Sequence, residues 1–110
     1  MKSYTDLEQS KKLAEILPLE SADMWYGNED PHKIAIGKWD DNKHDEDDIP
    51  CWSLAALLAV LDEPYLFKKF NTWSCYVFNP NNHRFISTDS AEPVDICVEM
   101  ILKLHEIKMF

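Results

Sequence analysis

The chain has 110 residues, of which 45% are hydrophobic and 12% aromatic, and its 11 Lys and Arg face 20 Asp and Glu for a formal charge of -9. That composition excludes an intrinsically disordered polymer, and a chain of this length is expected to form one domain over residues 1–110, burying about 65% of its unfolded surface. Direct nucleic-acid binding is not expected, because it draws most of its free energy from cations that displace counterions around phosphates.

Cys51, Cys75 and Cys97 are an odd number of cysteines at wide intervals, which predicts reduced thiols in a cytoplasmic chain. The first ten residues are polar and offer no leader, and the longest apolar run, residues 54–61, falls far short of the roughly 20 needed to cross a bilayer. No membrane association is expected.

In chain order, Thr5-Asp6-Leu7-Glu8 has the form of a capping box and predicts a first helix over residues 6–16, with Leu7, Leu13, Ala14 and Leu17 inward and Pro18 as its stop. Met24-Trp25-Tyr26 and Ile34-Ala35-Ile36 flank a cluster of turn formers and predict a hairpin. Residues 54–61 follow Ile49-Pro50-Cys51-Trp52-Ser53 and predict a buried second helix. A second hairpin is expected from residues 72–79 and 83–88. In its first strand Trp73, Cys75 and Val77 alternate with Ser74, Tyr76 and Phe78, a pattern that predicts a central strand covered on both faces. Asp89-Ser90-Ala91-Glu92 offers a cap for a last helix, with Pro93 in its first turn and Val94, Cys97, Val98, Ile101, Leu102 and His105 at helical spacing. The order α-β-β-α-β-β-α implies an α+β fold, an antiparallel or mixed sheet of about four strands carrying three helices.

Leu7-Glu8-Gln9-Ser10-Lys11-Lys12-Leu13, Ser21-Ala22-Asp23-Met24-Trp25-Tyr26, Ile49-Pro50-Cys51-Trp52-Ser53-Leu54, Trp73-Ser74-Cys75 and residues 93–100 resemble a family of small proteins from gut Bacteroidales and their prophages. The Trp-x-Cys strand followed by a C-terminal helix is similar, more weakly, to the phage ABA sandwich domain. The resemblance implies a mobile-element origin and helices on both faces of a sheet. It carries no reaction, cofactor or catalytic residue.

Candidate chemistry begins at Cys51, a thiol at a helix entrance, with His83 as base and Asp89 as its orienter, which would make a cysteine hydrolase. Magnitudes oppose this. A helix terminus supplies about 0.3–1 kcal/mol, while Asp47 and Asp48 push the thiol upward from its reference near 8.5. The acidic residues Asp40, Asp41, Asp45, Glu46, Asp47 and Asp48 lack the ligand order of an EF-hand, so a solvated loop is expected and no metal or cofactor. His32, His44, His83 and His105 show no zinc-pair spacing, which leaves only Cys75, Cys97 and His83 as a conceivable zinc set. The favoured expectation is a non-catalytic accessory protein. Trp39 or Trp52 would anchor a host or phage protein with a basic surface, and Asp45, Asp47 and Asp48 would form an anionic rim. An acidic mimic of nucleic acid is the remaining alternative.

Overall fold

The computed structural model describes residues 2–27, 34–36 and 48–109. Three helices, α1 (Leu7–Ala14), α2 (Leu54–Val60) and α3 (Pro93–Glu106), accompany six strands: β1 (Met24–Tyr26), β2 (Ile34–Ile36), β3 (Ile49–Cys51), β4 (Tyr65–Lys69), β5 (Thr72–Asn79) and β6 (Arg84–Ser90). The fold is α+β, and the strands divide into two antiparallel sheets of order β2-β1-β3 and β4-β5-β6. The two strands missing from the expected order are β3 and β4, the first strand placed directly before α2 and the second directly after it.

The N-terminus of α1 is capped one residue later than expected. The Asp6 side chain accepts from the Gln9 amide at 2.8 Å, and the Gln9 side chain returns the bond to the Asp6 amide at 3.0 Å. This frees Thr5 for a different task. Thr5 is fully buried and its backbone pairs with Trp52, its amide donating to the Trp52 carbonyl at 3.0 Å. Its hydroxyl lies 2.7 Å from Ser10 Oγ and accepts from the Trp52 amide at 3.2 Å, and its carbonyl accepts from the Tyr26 hydroxyl at 2.7 Å. Four segments, the N-terminal strand-like stretch, α1, β1 and β3, are thereby joined at one buried polar point, where an unmade bond carries its full desolvation cost.

Ser53 caps α2, its hydroxyl accepting from the Ala56 amide at 3.2 Å while the Ser53 amide donates to Asp23 at 2.9 Å. Leu13, Leu17, Trp52, Leu57 and Leu61 then meet α3 in one core. Helix α3 buries more of its circumference than the helical stripe implied: Ile96, Met100 and Leu104 are enclosed with Val94, Cys97, Val98 and Ile101, whereas His105 is exposed. Its first turn has no side-chain cap, since Asp89 instead accepts from Ser74 and the cap position falls to Glu92.

The β4-β5-β6 sheet rests one face on α3. Cys75 and Val77 are buried, and Leu66, Trp73 and Ile86 are packed against the core beside them. Thr88 fastens this face by donating from its hydroxyl to the Ile96 carbonyl at 3.3 Å. The opposite face departs from the expectation of a strand covered on both sides. Among the described residues no helix lies on it, and the large rings it carries are open to solvent. No helix among the described residues is long and apolar enough to cross a membrane.

The N-terminal segment is also tied to α3 by charge. Lys2 Nζ reaches Asp95 at 2.8 Å and Asp6 at 3.0 Å. Partial burial pushes the Asp95 carboxyl upward, but hydrogen bonds from Lys2 and Gln9 outweigh it, so its pKa falls below the usual carboxylate value; the same opposition, with the Gln9 amide and Lys2 as donors, lowers Asp6. A carboxyl whose pKa is depressed on folding gives stability that is complete above its unfolded value near 4 and is lost as the pH falls through the folded value.

Two outcomes follow for stability. Thr5→Val, which keeps the shape but leaves the Trp52 amide without its acceptor, is expected to cost about 1–3 kcal/mol in urea unfolding. Wild-type unfolding midpoints should decline as pH drops below about 4, and Lys2→Met should shallow that decline, modestly because the pairs are partly exposed to solvent.

Candidate functional site

The structure separates the residues of the proposed hydrolase. Cys51 lies in β3, not at the helix entrance, because Ser53 takes the cap of α2. It is fully buried, and its thiol donates to the Thr5 carbonyl at 3.4 Å. Burial pushes the Cys51 thiol up from its ordinary pKa, only partly offset by hydrogen bonds from Thr5, Ser10 and Tyr26. His83 stands in the β5-β6 turn, its ring 6.3 Å from that of Phe78, and Asp89 accepts from Ser74 near the other end of β6. At about 3.3 Å per residue, the five steps along β6 from Arg84 to Asp89 alone span roughly 17 Å, so Asp89 cannot orient His83. A base must approach within about 3.2 Å of its nucleophile or within one water of it, and among the described residues no imidazole contacts the Cys51 thiol.

Cys75 and Cys97 are a second buried pair, on β5 and α3. Their side chains hydrogen-bond to each other, which lowers Cys75 and raises Cys97, with burial adding to the rise. His83 belongs to the distant turn, and no group of three or more His, Cys, Asp or Glu side chains that could hold a metal ion occurs among the described residues.

The binding surface expected from the indoles also changes. Trp52 is 0% exposed, and its Nε1 donates to Ser21 Oγ at 2.9 Å, so it is a core residue and cannot anchor a partner. The cause is the strand position of Cys51: with Trp52 bridging β3 to α2, the ring joins Leu57 and Leu61 in the core cluster. Asp48 is half-buried at the start of β3. Trp39, Asp45 and Asp47 lie outside the described residues, as do His32 and His44. A polar pocket of about 300 Å³ near the N-terminus is lined by Lys2, Asp6, Gln9 and Asp95, which are already engaged with one another.

What the sheet does present is a continuous set of aromatic rings. Strand register places Tyr65 beside Tyr76 and Phe78 beside Phe85, with Phe67 on the same face. Phe67 stacks on Tyr76 with ring centroids 5.4 Å apart and planes 7° from parallel, and Phe85 meets Tyr65 edge-on at 6.0 Å and Phe78 at 5.4 Å. Tyr65, Phe67, Tyr76 and Phe85 line a groove of about 260 Å³. Tyr65 is 60% exposed, Phe85 54%, Phe67 45% and Phe78 42%. With each ring able to bury about 150–250 Å², those four leave on the order of 400 Å² of aromatic surface in water, comparable with the largest patch a typical monomer shows. At the tip of the β4-β5 hairpin Phe70 is 88% exposed with φ 59°, a left-handed backbone for which a large residue incurs strain of about 1–2 kcal/mol.

One signal for this site stands in the sequence, the aromatic half of the β5 alternation. Comparison of the chain with family models, with curated proteins and with solved structures finds no match.

The buried thiols give a direct check on catalysis. In the folded chain Cys51 and Cys97 should react with iodoacetamide at pH 8 at least about a hundredfold slower than in urea-unfolded chain, because reaction needs both exposure and thiolate. A fast Cys51 fraction in the folded state, titrating below pH 7, would restore the hydrolase.

Proposed function

We propose that the chain is a non-catalytic accessory protein that binds another protein through the outward face of β4-β5-β6. The observation that carries this reading is the solvent exposure of Tyr65, Phe67, Phe78 and Phe85 on a strand arrangement whose other face is a finished core. Aromatic rings are the residues that dominate protein interfaces, and here they sit on strands rather than loops, already held by one another. Covering on the order of 400 Å² at about 25 cal/mol per Å² returns roughly 10 kcal/mol, within the range of about 4–15 kcal/mol that association costs in lost freedom. The rings therefore suffice for a weak complex and require a rim for a tight one. The resemblance to small Bacteroidales and prophage proteins supports a mobile-element setting, and the free, buried cysteines suit a cytoplasmic one.

Phe67→Ser and Phe85→Ser are the discriminating changes. Each removes ring pairs worth about 0.5–1.5 kcal/mol while leaving the core intact, so both variants should fold with a loss of about 1 kcal/mol. Immobilised wild-type chain should retain a protein from a Bacteroidales extract that both variants release. Retention of the same protein by folded Phe67→Ser and Phe85→Ser would remove this face from the account.

A further inference from the structure

Resting on that reading, the residues that share the open face with the rings define what docks there. We infer that the outward face of β4-β5-β6 takes a second copy of this chain, laid face to face about a two-fold axis that runs along the strands. Strand register carries two charges onto this face: Lys69 pairs with Thr72 and Asp89 with Ser74, and both β5 positions alternate outward with Tyr76 and Phe78. The Ser74 hydroxyl donates to Asp89, which holds the carboxylate on this side. Lys68 and Arg84 pair with Trp73 and Asn79 and belong to the face that meets α3. Lys69 stands on edge strand β4 and Asp89 on the opposite edge strand β6, both exposed, with the rings filling the other end of the face. In a chain of formal charge -9 the described strands thus offer one cation and one anion on this side, and a face of balanced charge meets its own copy without a surplus of either sign.

The placement of the two charges selects the axis. Sheets packed face to face lie about 10 Å apart with their strands within about 30° of alignment. An axis along the strands keeps every residue at its own level and exchanges the edges, so rings cover rings, Tyr76 and Phe78 of the central strand meet their own copies, and β4 lies over the partner's β6. Lys69 and the partner's Asp89 then stand one outward row apart, about 7 Å along the strand and within reach of a lysine stem, and two-fold symmetry makes the pair twice. An axis across the strands would lay each strand on its own copy, turning Lys69 toward lysine and Asp89 toward aspartate. Each copy would cover on the order of 400 Å² of aromatic surface, about 800 Å² for the two, against the roughly 1,200–2,000 Å² of a stable complex. The dimer is therefore weak, dissociating at roughly 10–100 µM, and in dilute solution the rings stand in water. Other occupants fit less well. A segment of one charge sign would press Lys69 or Asp89 against its like, and a single-stranded nucleic acid needs open ring faces for its bases, whereas Phe67 and Tyr76 turn theirs toward each other.

The test is sedimentation velocity of the full chain from about 1 to 500 µM, a range set to bracket the expected dissociation constant. Monomer should give way to dimer across it, and Phe85→Ser should remain monomeric throughout. Lys69→Glu and Asp89→Lys each turn two attractive rim pairs into repulsive ones and should each raise the dissociation constant about tenfold. An equimolar mixture of these two variants restores opposite signs at both pairs, so it should dimerise as the wild type does, and so should the double variant Lys69→Glu/Asp89→Lys. A dimer lost on Phe85→Ser but indifferent to both charge reversals would overturn the axis along the strands. Wild-type chain that stays monomeric at 500 µM, while an extract protein is still retained by it and released by Phe67→Ser, would overturn the second copy and leave the docking face standing with another occupant. A dimer unaffected by Phe67→Ser and Phe85→Ser, with extract retention equally unaffected, would overturn both.

Discussion

A single 14-residue helix can cover one side of a three-stranded sheet, and this constraint governs the rest of the molecule. Helix α3 is saturated by that role. Its first three turns are buried against β5, β6 and α2, and the remaining helices are committed elsewhere, α1 to the N-terminal sheet through Thr5 and α2 to α3 through Leu57 and Leu61. No element among the described residues remains for the far side of β4-β5-β6. The side chains on that far side are nevertheless aromatic, and they satisfy one another in pairs instead of finding a core.

The molecule therefore keeps its polar and apolar specialisations apart. Its buried polar cluster, with Thr5, Ser10, Tyr26 and Cys51 in mutual contact, has every buried side-chain nitrogen and oxygen partnered among the described residues. Such a cluster specifies how the N-terminal stretch meets β3, and burial encloses its thiol and raises its pKa. The surface that meets solvent with unspent apolar area lies in the other sheet, inside the one long stretch of sequence free of acids.

Much of this was legible from residue order. The helical spacing over 94–105 and the alternation over 72–79 identify α3 and β5, and Met24-Trp25-Tyr26 pairs with Ile34-Ala35-Ile36 in register. Other features were degenerate. Thr5-x-x-Glu8 and Asp6-x-x-Gln9 both fit a capping box, and only the burial of Thr5 selects the second. Pro50 in β3 and the pair Lys68-Lys69 in β4 obscure strands that sit at sheet edges, where proline and lysine are tolerated. Trp52 looked like a surface anchor because it follows six acids, yet chain adjacency does not fix which way a ring turns. Alternation likewise shows that β5 has two apolar faces but not how many helices the fold has left to cover them.

The central claim is that the rings of Tyr65, Phe67, Phe78 and Phe85 stand in water while Trp52 does not. Hydroxyl-radical footprinting of the folded chain, read residue by residue by mass spectrometry, measures this directly. The account predicts oxidation of those four rings at rates within a few-fold of the unfolded chain, with Trp52 protected despite the higher intrinsic reactivity of indole. Protection of the four rings to the level of Trp52 would show that the sheet is covered on both faces and would contradict it.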